Sequence, residues 1–176
     1  STMPAVSKPQ VDENGVQVTA PAYSYENGVH TNPTAFRIVD GATVTVNSFN
    51  ITSGVNGLYN FILGAADGET AGNLVINDGT FVANTSVVSV TKGNLVIEGG
   101  DFSLVEGTTD YRYLINCIDA NYNNGSATVA ISGGTFHNWN PQDNAAETGG
   151  HANFCAEGYA AVETSTGVWE VVPMQE

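Results

Sequence analysis

The side chains able to do acid–base, metal or nucleophilic chemistry are few in this chain, and they do not converge in sequence. Two carboxylates, Glu98 and Asp101, flank Gly99-Gly100, and glycoside hydrolysis needs a carboxylate pair. The alternation around them turns both outward at a corner, where a solvated carboxylate is the ordinary outcome. Asp67 and Glu69 share a loop that lacks calcium-loop spacing. His137 and His151 bracket another loop, and a metal there would need a further ligand from Asp143 or Glu147. No Gly-x-Ser-x-Gly occurs, and the Gly-Gly pairs do not match a phosphate loop. The expectation is therefore no catalytic, cofactor-binding or metal-binding residue.

Aromatic residues give a better binding candidate. Trp139, Tyr111, Tyr113 and Tyr122 fall in or beside inserted loops. Exposed aromatic faces there could stack on sugar rings, with Asn and Asp bonding hydroxyls. The alternative is that the four rings cover loop backbone or pack in a subunit interface. An ice-binding face would need a regular outward Thr ladder, and only Thr43-Val-Thr45 fits one. Asn50, Asn84 and Asn124 each head an Asn-x-Ser/Thr triplet, a frequent chance match in a chain this rich in Asn and Thr.

The elements that would position these residues come from four similar windows: Thr43–Ile51, Asn73–Phe81, Asn94–Phe102 and Thr128–Phe136. Each reads apolar-x-apolar, then small or polar residues, then a large apolar residue. The anchors Val46, Ile76, Ile97 and Ile131 are spaced by 30, 21 and 34 residues. Self-similarity at such a period marks a stacked architecture with insertions between repeats. Stacking would align Val46, Ile76, Ile97 and Ile131 as one internal row, and Ile51, Phe81, Phe102 and Phe136 as another. Asp78-Gly79, Gly99-Gly100 and Gly133-Gly134 fall at one repeat position, where a corner needs a backbone that Gly adopts at little steric cost.

Residues 35–137 form this repeat body. Residues 1–34 lack the repeat and are punctuated by Pro4, Pro9, Pro21 and Pro33 and by Asn14-Gly15 and Asn27-Gly28, which favour short extended pieces and tight turns. This arm is expected to attach the protein to a partner and in part to cap the first repeat. Residues 138–176 form a polar loop and a closing element, with Trp169 as the plug of the open end.

Composition limits the partners. The 176 residues suit one domain. Eighteen acidic residues against Lys8, Arg37, Lys92 and Arg112 give a formal charge of −14, which makes nucleic acid and anionic membranes poor ligands. No apolar run is long enough to span a bilayer. The first residues lack the basic and apolar regions of a secretion leader, so such a leader was removed or the protein reaches its place otherwise, for example by lysis. Cys117 continues the inward alternation from Ile115; a buried thiol and a Cys117–Cys155 bridge both stay open.

The windows Ile97-Glu-Gly-Gly-Asp-Phe102 and Ile131-Ser-Gly-Gly-Thr-Phe136 resemble right-handed parallel β-helix repeats. Phe154-Cys-Ala-Glu-Gly-Tyr159 through Val168-Trp-Glu-Val171 resembles the closing segment of such proteins among gut-bacterial surface proteins and the structural proteins of their phages. The resemblance covers about residues 72–172. It implies an all-β fold: a short right-handed parallel β-helix with an extended N-terminal arm and a C-terminal cap. Its implied function is a non-enzymatic virion component, a head fibre or capsid decoration that could adhere to host glycans. A bacterial surface adhesin fragment and a polysaccharide lyase or hydrolase are the alternatives. Lyases of this fold use carboxylate-bound calcium and an Arg or Lys base, and neither Arg37 nor Arg112 lies beside paired acids. The expected partners are further copies of the chain, with a trimer favoured by analogy to phage fibres, and a capsid protein held by residues 1–34. The expected location is the virion surface, or else the bacterial surface.

Overall fold

The computed structural model describes residues 10–11, 17–18, 29–30, 33–54, 57–65, 68–107, 113–145 and 151–175. The described chain is mostly strand, with one five-residue helix. β1 (Gln10–Val11) and β2 (Gln17–Val18) pair antiparallel, and β3 (Val29–His30) follows. Four circuits come next. The first is β4 (Thr34–Ile38), β5 (Thr43–Val46) and β6 (Phe49–Ser53). The second is β7 (Tyr59–Leu63), β8 (Gly72–Ile76) and β9 (Gly79–Ala83). The third is β10 (Ser86–Val90), β11 (Gly93–Ile97) and β12 (Asp101–Leu104). The fourth is β13 (Ile115–Cys117), α1 (Asp119–Asn123), β14 (Ala127–Ile131) and β15 (Thr135–His137). Two hairpins close the chain: β16 (Asn144–Ala145) with β17 (His151–Ala152), and β18 (Tyr159–Ser165) with β19 (Val168–Pro173).

Each circuit places one strand in each of three sheets. Sheet one is β4-β7-β10-β13 and sheet two is β5-β8-β11-β14; sheet three runs β3-β6-β9-β12-β15-β19-β18. All pairings between circuits are parallel, and only β19 and β18 join antiparallel. The short apolar-x-apolar runs explain this. Each strand buries one face and pairs on both edges, which a single circuit cannot do for itself.

Register follows the sequence windows. Val46, Ile76, Ile97 and Ile131 are successive partners across sheet two. Ile51, Phe81, Phe102 and Phe136 are successive partners across sheet three. All are fully or almost fully buried except Val46, which is half-buried. Val44, in the first circuit, is 38% exposed.

The corners are steric. Gly79, Gly100 and Gly134 have φ of +134°, +112° and +104°, a region that L side chains avoid. At the start of β11, Gly93 has φ +113°, and a Cβ there would lie 1.9 Å from the Gly72 carbonyl oxygen. The circuits stack too closely for a side chain at that position.

Three expectations need correction. β3 joins sheet three beside Thr52 and Ser53, so the sheet reaches into the stretch read as an arm. The excursion read as a loop after Cys117 contains α1. Finally, Trp169 is half-buried, paired with Phe136 in sheet three and packed against the side of the core. The far end is closed instead by Trp139 and Phe154, 7% and 1% exposed. The period-two pattern around Trp169 does form a strand, and β19 lies inside sheet three between β15 and β18. Asn14-Gly15 and Asn27-Gly28 lie outside the described residues.

Candidate functional site

The interior is a column of rings. Phe36 and Phe61 stack at 5.4 Å, Phe61 and Phe81 tilt at 5.9 Å, and Phe81 and Phe102 stack at 5.1 Å. Phe102 and Phe136 lie nearly parallel at 4.9 Å. Trp139 continues the series 5.6 Å from Phe136, and Phe154 lies 6.0 Å further on. Such pairs contribute beyond their buried area, by about 0.5–1.5 kcal/mol each. The column runs through all four circuits and into the cap.

That placement changes the aromatic candidates. Trp139 is in the core, with Phe136 and Phe154 against it, so it offers no open face for a sugar ring. Tyr122 is half-buried on α1 and meets Phe154 edge-on at 5.6 Å. Tyr113 is half-buried against the core. Tyr111 lies outside the described residues. Among the described residues, Trp139, Tyr113 and Tyr122 do not form one exposed platform. Their sequence signal was proximity to inserted loops, and it could not tell a ring over a loop from a ring under it.

The acid–base candidates separate in the same way. Glu98 is exposed at the end of sheet two, while Asp101 begins β12 in sheet three. The Asp101 carboxylate is held by His137 Nε2, at 2.9 and 3.1 Å to its two oxygens. This pair joins consecutive circuits on the outer side of sheet three, and the sequence reading missed it. Its only sequence sign is that both residues flank the same Phe position of successive windows. His151 Nδ1 meets Asp143 at the β16–β17 hairpin, and both side chains are exposed. Among the described residues, no three His, Cys, Asp or Glu side chains come together to hold a metal ion. Asp67, Arg112 and Glu147 lie outside them. Glu69 is exposed. Arg37 is exposed and donates from Nη1 to the Gly64 carbonyl at 3.4 Å.

Both cysteines are free. Cys117 points into the core from β13, and burial, with a smaller effect from Asp119, pushes its thiol up to about 12. Cys155 is half-buried where the cap bridges Ile131. Burial raises its thiol pKa, and the Ala161 N–H offsets part of that rise. A thiol held neutral is a poor nucleophile.

Sheet two carries a ladder on its outer face. Thr128 Oγ1 donates to Asn94 Oδ1 at 2.6 Å, and Asn94 Nδ2 donates to Asn73 Oδ1 at 2.9 Å. Asn73 Nδ2 points to the Gly41 carbonyl at 3.4 Å. Equivalent first residues of successive windows thus bond to one another and fix register.

Comparison with protein-family models, curated proteins and solved structures finds no match to this chain. The fold and side-chain geometry together define a mostly β protein whose circuits pair in parallel across three sheets around one aromatic core.

Proposed function

We propose that this chain is a non-enzymatic structural surface protein, a virion component of the head-fibre or capsid-decoration kind. In this reading its circuits form a short right-handed parallel β-helix. One observation carries it: the interior is filled end to end by rings 4.9–6.0 Å apart. A scaffold of this kind spaces its ends rigidly. The acid–base candidates meanwhile sit on different sheets, and Asp101 is tied to a histidine.

The assembly follows from charge and size. A body with a formal charge of −14 repels its own copies at long range. Several copies about one axis overcome this by burying area at close range, and closed cyclic symmetry is the common result. A trimer at a virion surface, held to a capsid protein through the N-terminal residues, is the arrangement proposed. A host glycan is its proposed distal ligand.

The test is co-purification. Particles banded from a lysate of the source culture should carry the chain at fixed stoichiometry, detected by antibody after disruption. Particles without the chain would refute the virion role. Sedimentation of the pure protein should show a trimer at micromolar concentration, and a monomer would refute self-assembly. Release of unsaturated or reducing ends from pectin, alginate or xylan, with or without calcium, would overturn the non-enzymatic reading.

A further inference from the structure

β18 is the last strand of sheet three, and among the described residues it pairs with β19 alone. Its other edge is open to a further strand, because an edge presents backbone N–H and C=O groups in a row. Two bonds show which groups face that edge. Val171 donates its N–H to the Gly134 carbonyl, away from β18. Its partner Ala161 donates its N–H to the side chain of Gln142, at 2.7 Å to Oε1. Ala161 and Val171 are therefore a pair that exchanges no backbone bonds, and the backbone groups of Ala161 face outward. Those of Glu163, two residues on, face outward by the same alternation. The Gln142 amide oxygen thus sits where the carbonyl of an added strand would sit.

The face beside this edge is apolar. Ala160, Val162, Val172, Pro173 and Met174 line a hollow together with Gln175. Val162 is 48% exposed and Met174 58%. Charge decides what kind of chain fits there. From residue 113 onward the sequence has seven Asp and Glu and no Lys or Arg. Of these, Glu157, Glu163 and Glu170 lie on or beside the β18–β19 hairpin, and all three are exposed. A second copy would bring the same carboxylates to the same edge, whereas a cationic chain complements them.

We propose that the open edge of β18 is a docking site for an extended, basic segment of another protein, which joins sheet three as an added strand. Main-chain bonds to Ala161 and Glu163 supply affinity, and alternate side chains supply specificity. On one face of the added strand, apolar side chains cover Val162 and the hollow. On the other, Lys or Arg side chains meet Glu163, which points to the opposite face from Val162. Gln142 gives up its place at the Ala161 N–H to a carbonyl of the incoming strand. This site stands whether or not the chain belongs to a virion.

The probe is a capped hexapeptide of alternating Lys and Val, titrated into the full isotopically labelled chain at physiological salt. Nuclear Overhauser contacts from the peptide Val methyls to the Val162 and Met174 methyls are expected, with slowed solvent exchange of the Glu163 amide. The same peptide with alternate backbone nitrogens methylated, and a Glu–Val hexapeptide, should each bind at least about tenfold more weakly. Gln142→Ala removes the competing acceptor and should tighten binding of the probe severalfold. Val162→Lys should weaken it by about tenfold or more, with an unchanged circular dichroism spectrum. Contacts that map to any other surface, or no saturable binding of the probe, would overturn the proposal. Equal binding of the methylated or the acidic peptide would do the same, as would unchanged affinity in Gln142→Ala. Contacts across β18 between two differently labelled copies, seen without peptide, would assign the edge to a second copy and also overturn it.

Discussion

Replacing Phe102 by Ala is the sharpest test of the stacked core. Phe102 is fully buried in the third circuit. One side of its ring meets Phe81 at 5.1 Å with an interplanar angle of 16°, and the other meets Phe136 at 4.9 Å and 6°. Phe→Ala in a core costs about 3–5 kcal/mol, and the value depends on how far the site can collapse. Here collapse is resisted, because β12 is held by ladders to β9 and β15. The loss of two ring contacts points the same way. We therefore expect the upper end, about 5 kcal/mol. Against a usual domain stability of about 5–15 kcal/mol this is large, and it should lower the melting midpoint by roughly 10–20 °C. Phe102→Leu keeps most of the volume and should cost less than about 2 kcal/mol. Phe49→Ala, at the half-buried end of the same sheet, should cost about half as much as Phe102→Ala. The assay is urea unfolding followed by far-ultraviolet circular dichroism, with unchanged slope as the control for two-state behaviour. A Phe102→Ala loss below about 2 kcal/mol, or a Phe49→Ala loss equal to it, would refute the ring column.

Further predictions follow from other sites. Gly93→Ala should cost roughly 2–6 kcal/mol by urea melts, combining left-handed strain with the clash against the Gly72 carbonyl. Gly107→Ala has a positive φ but open space around it and should cost only about 1–2 kcal/mol; equal losses would remove the close-packing argument. Cys117 has a folded pKa raised to about 12 from 9.0, so its stabilising contribution is complete below pH 9. It is lost as the pH rises from there toward 12, because the unfolded thiol ionises first. Stability should thus fall more steeply over that range in the parent than in Cys117→Ala. Parallel pH profiles would contradict the burial of this thiol. Titration with glycans should leave Trp139 emission unchanged, because its ring is enclosed, and quenching that disappears in a Trp139→Phe variant would show an open face.

Much of the fold was legible because period-two alternation and a repeated window state both burial and register. Val46, Ile76, Ile97 and Ile131 align as the spacing implies, across insertions of unequal length. The cap was read less well. Trp139 follows Asn138, which has a positive φ of 56°, and that turn carries the indole back over Phe136. No periodicity announces such a reversal. Trp169, by contrast, carries strand alternation, which fixes a face but not the neighbour it meets. The Asp101–His137 pair was also invisible to a linear reading, since its partners lie 36 residues apart. Only the register of β12 against β15 brings them together. The burial of Trp139 was hidden for a related reason: proximity to a loop does not say which side of the loop a ring occupies.

The most direct test of the account is the register of the circuits in solution. Methyl-resolved nuclear Overhauser spectra should connect Ile97 to both Ile76 and Ile131, and Leu95 to Leu74 and Val129, because these are direct partners in sheet two. Ile76 and Ile131 should show no mutual contact, since a whole strand separates them. Contacts of Ile97 with Ile76 alone, a direct Ile76–Ile131 contact, or antiparallel pairing of β8 with β11 would contradict the stacked parallel circuits on which the proposed scaffold role depends.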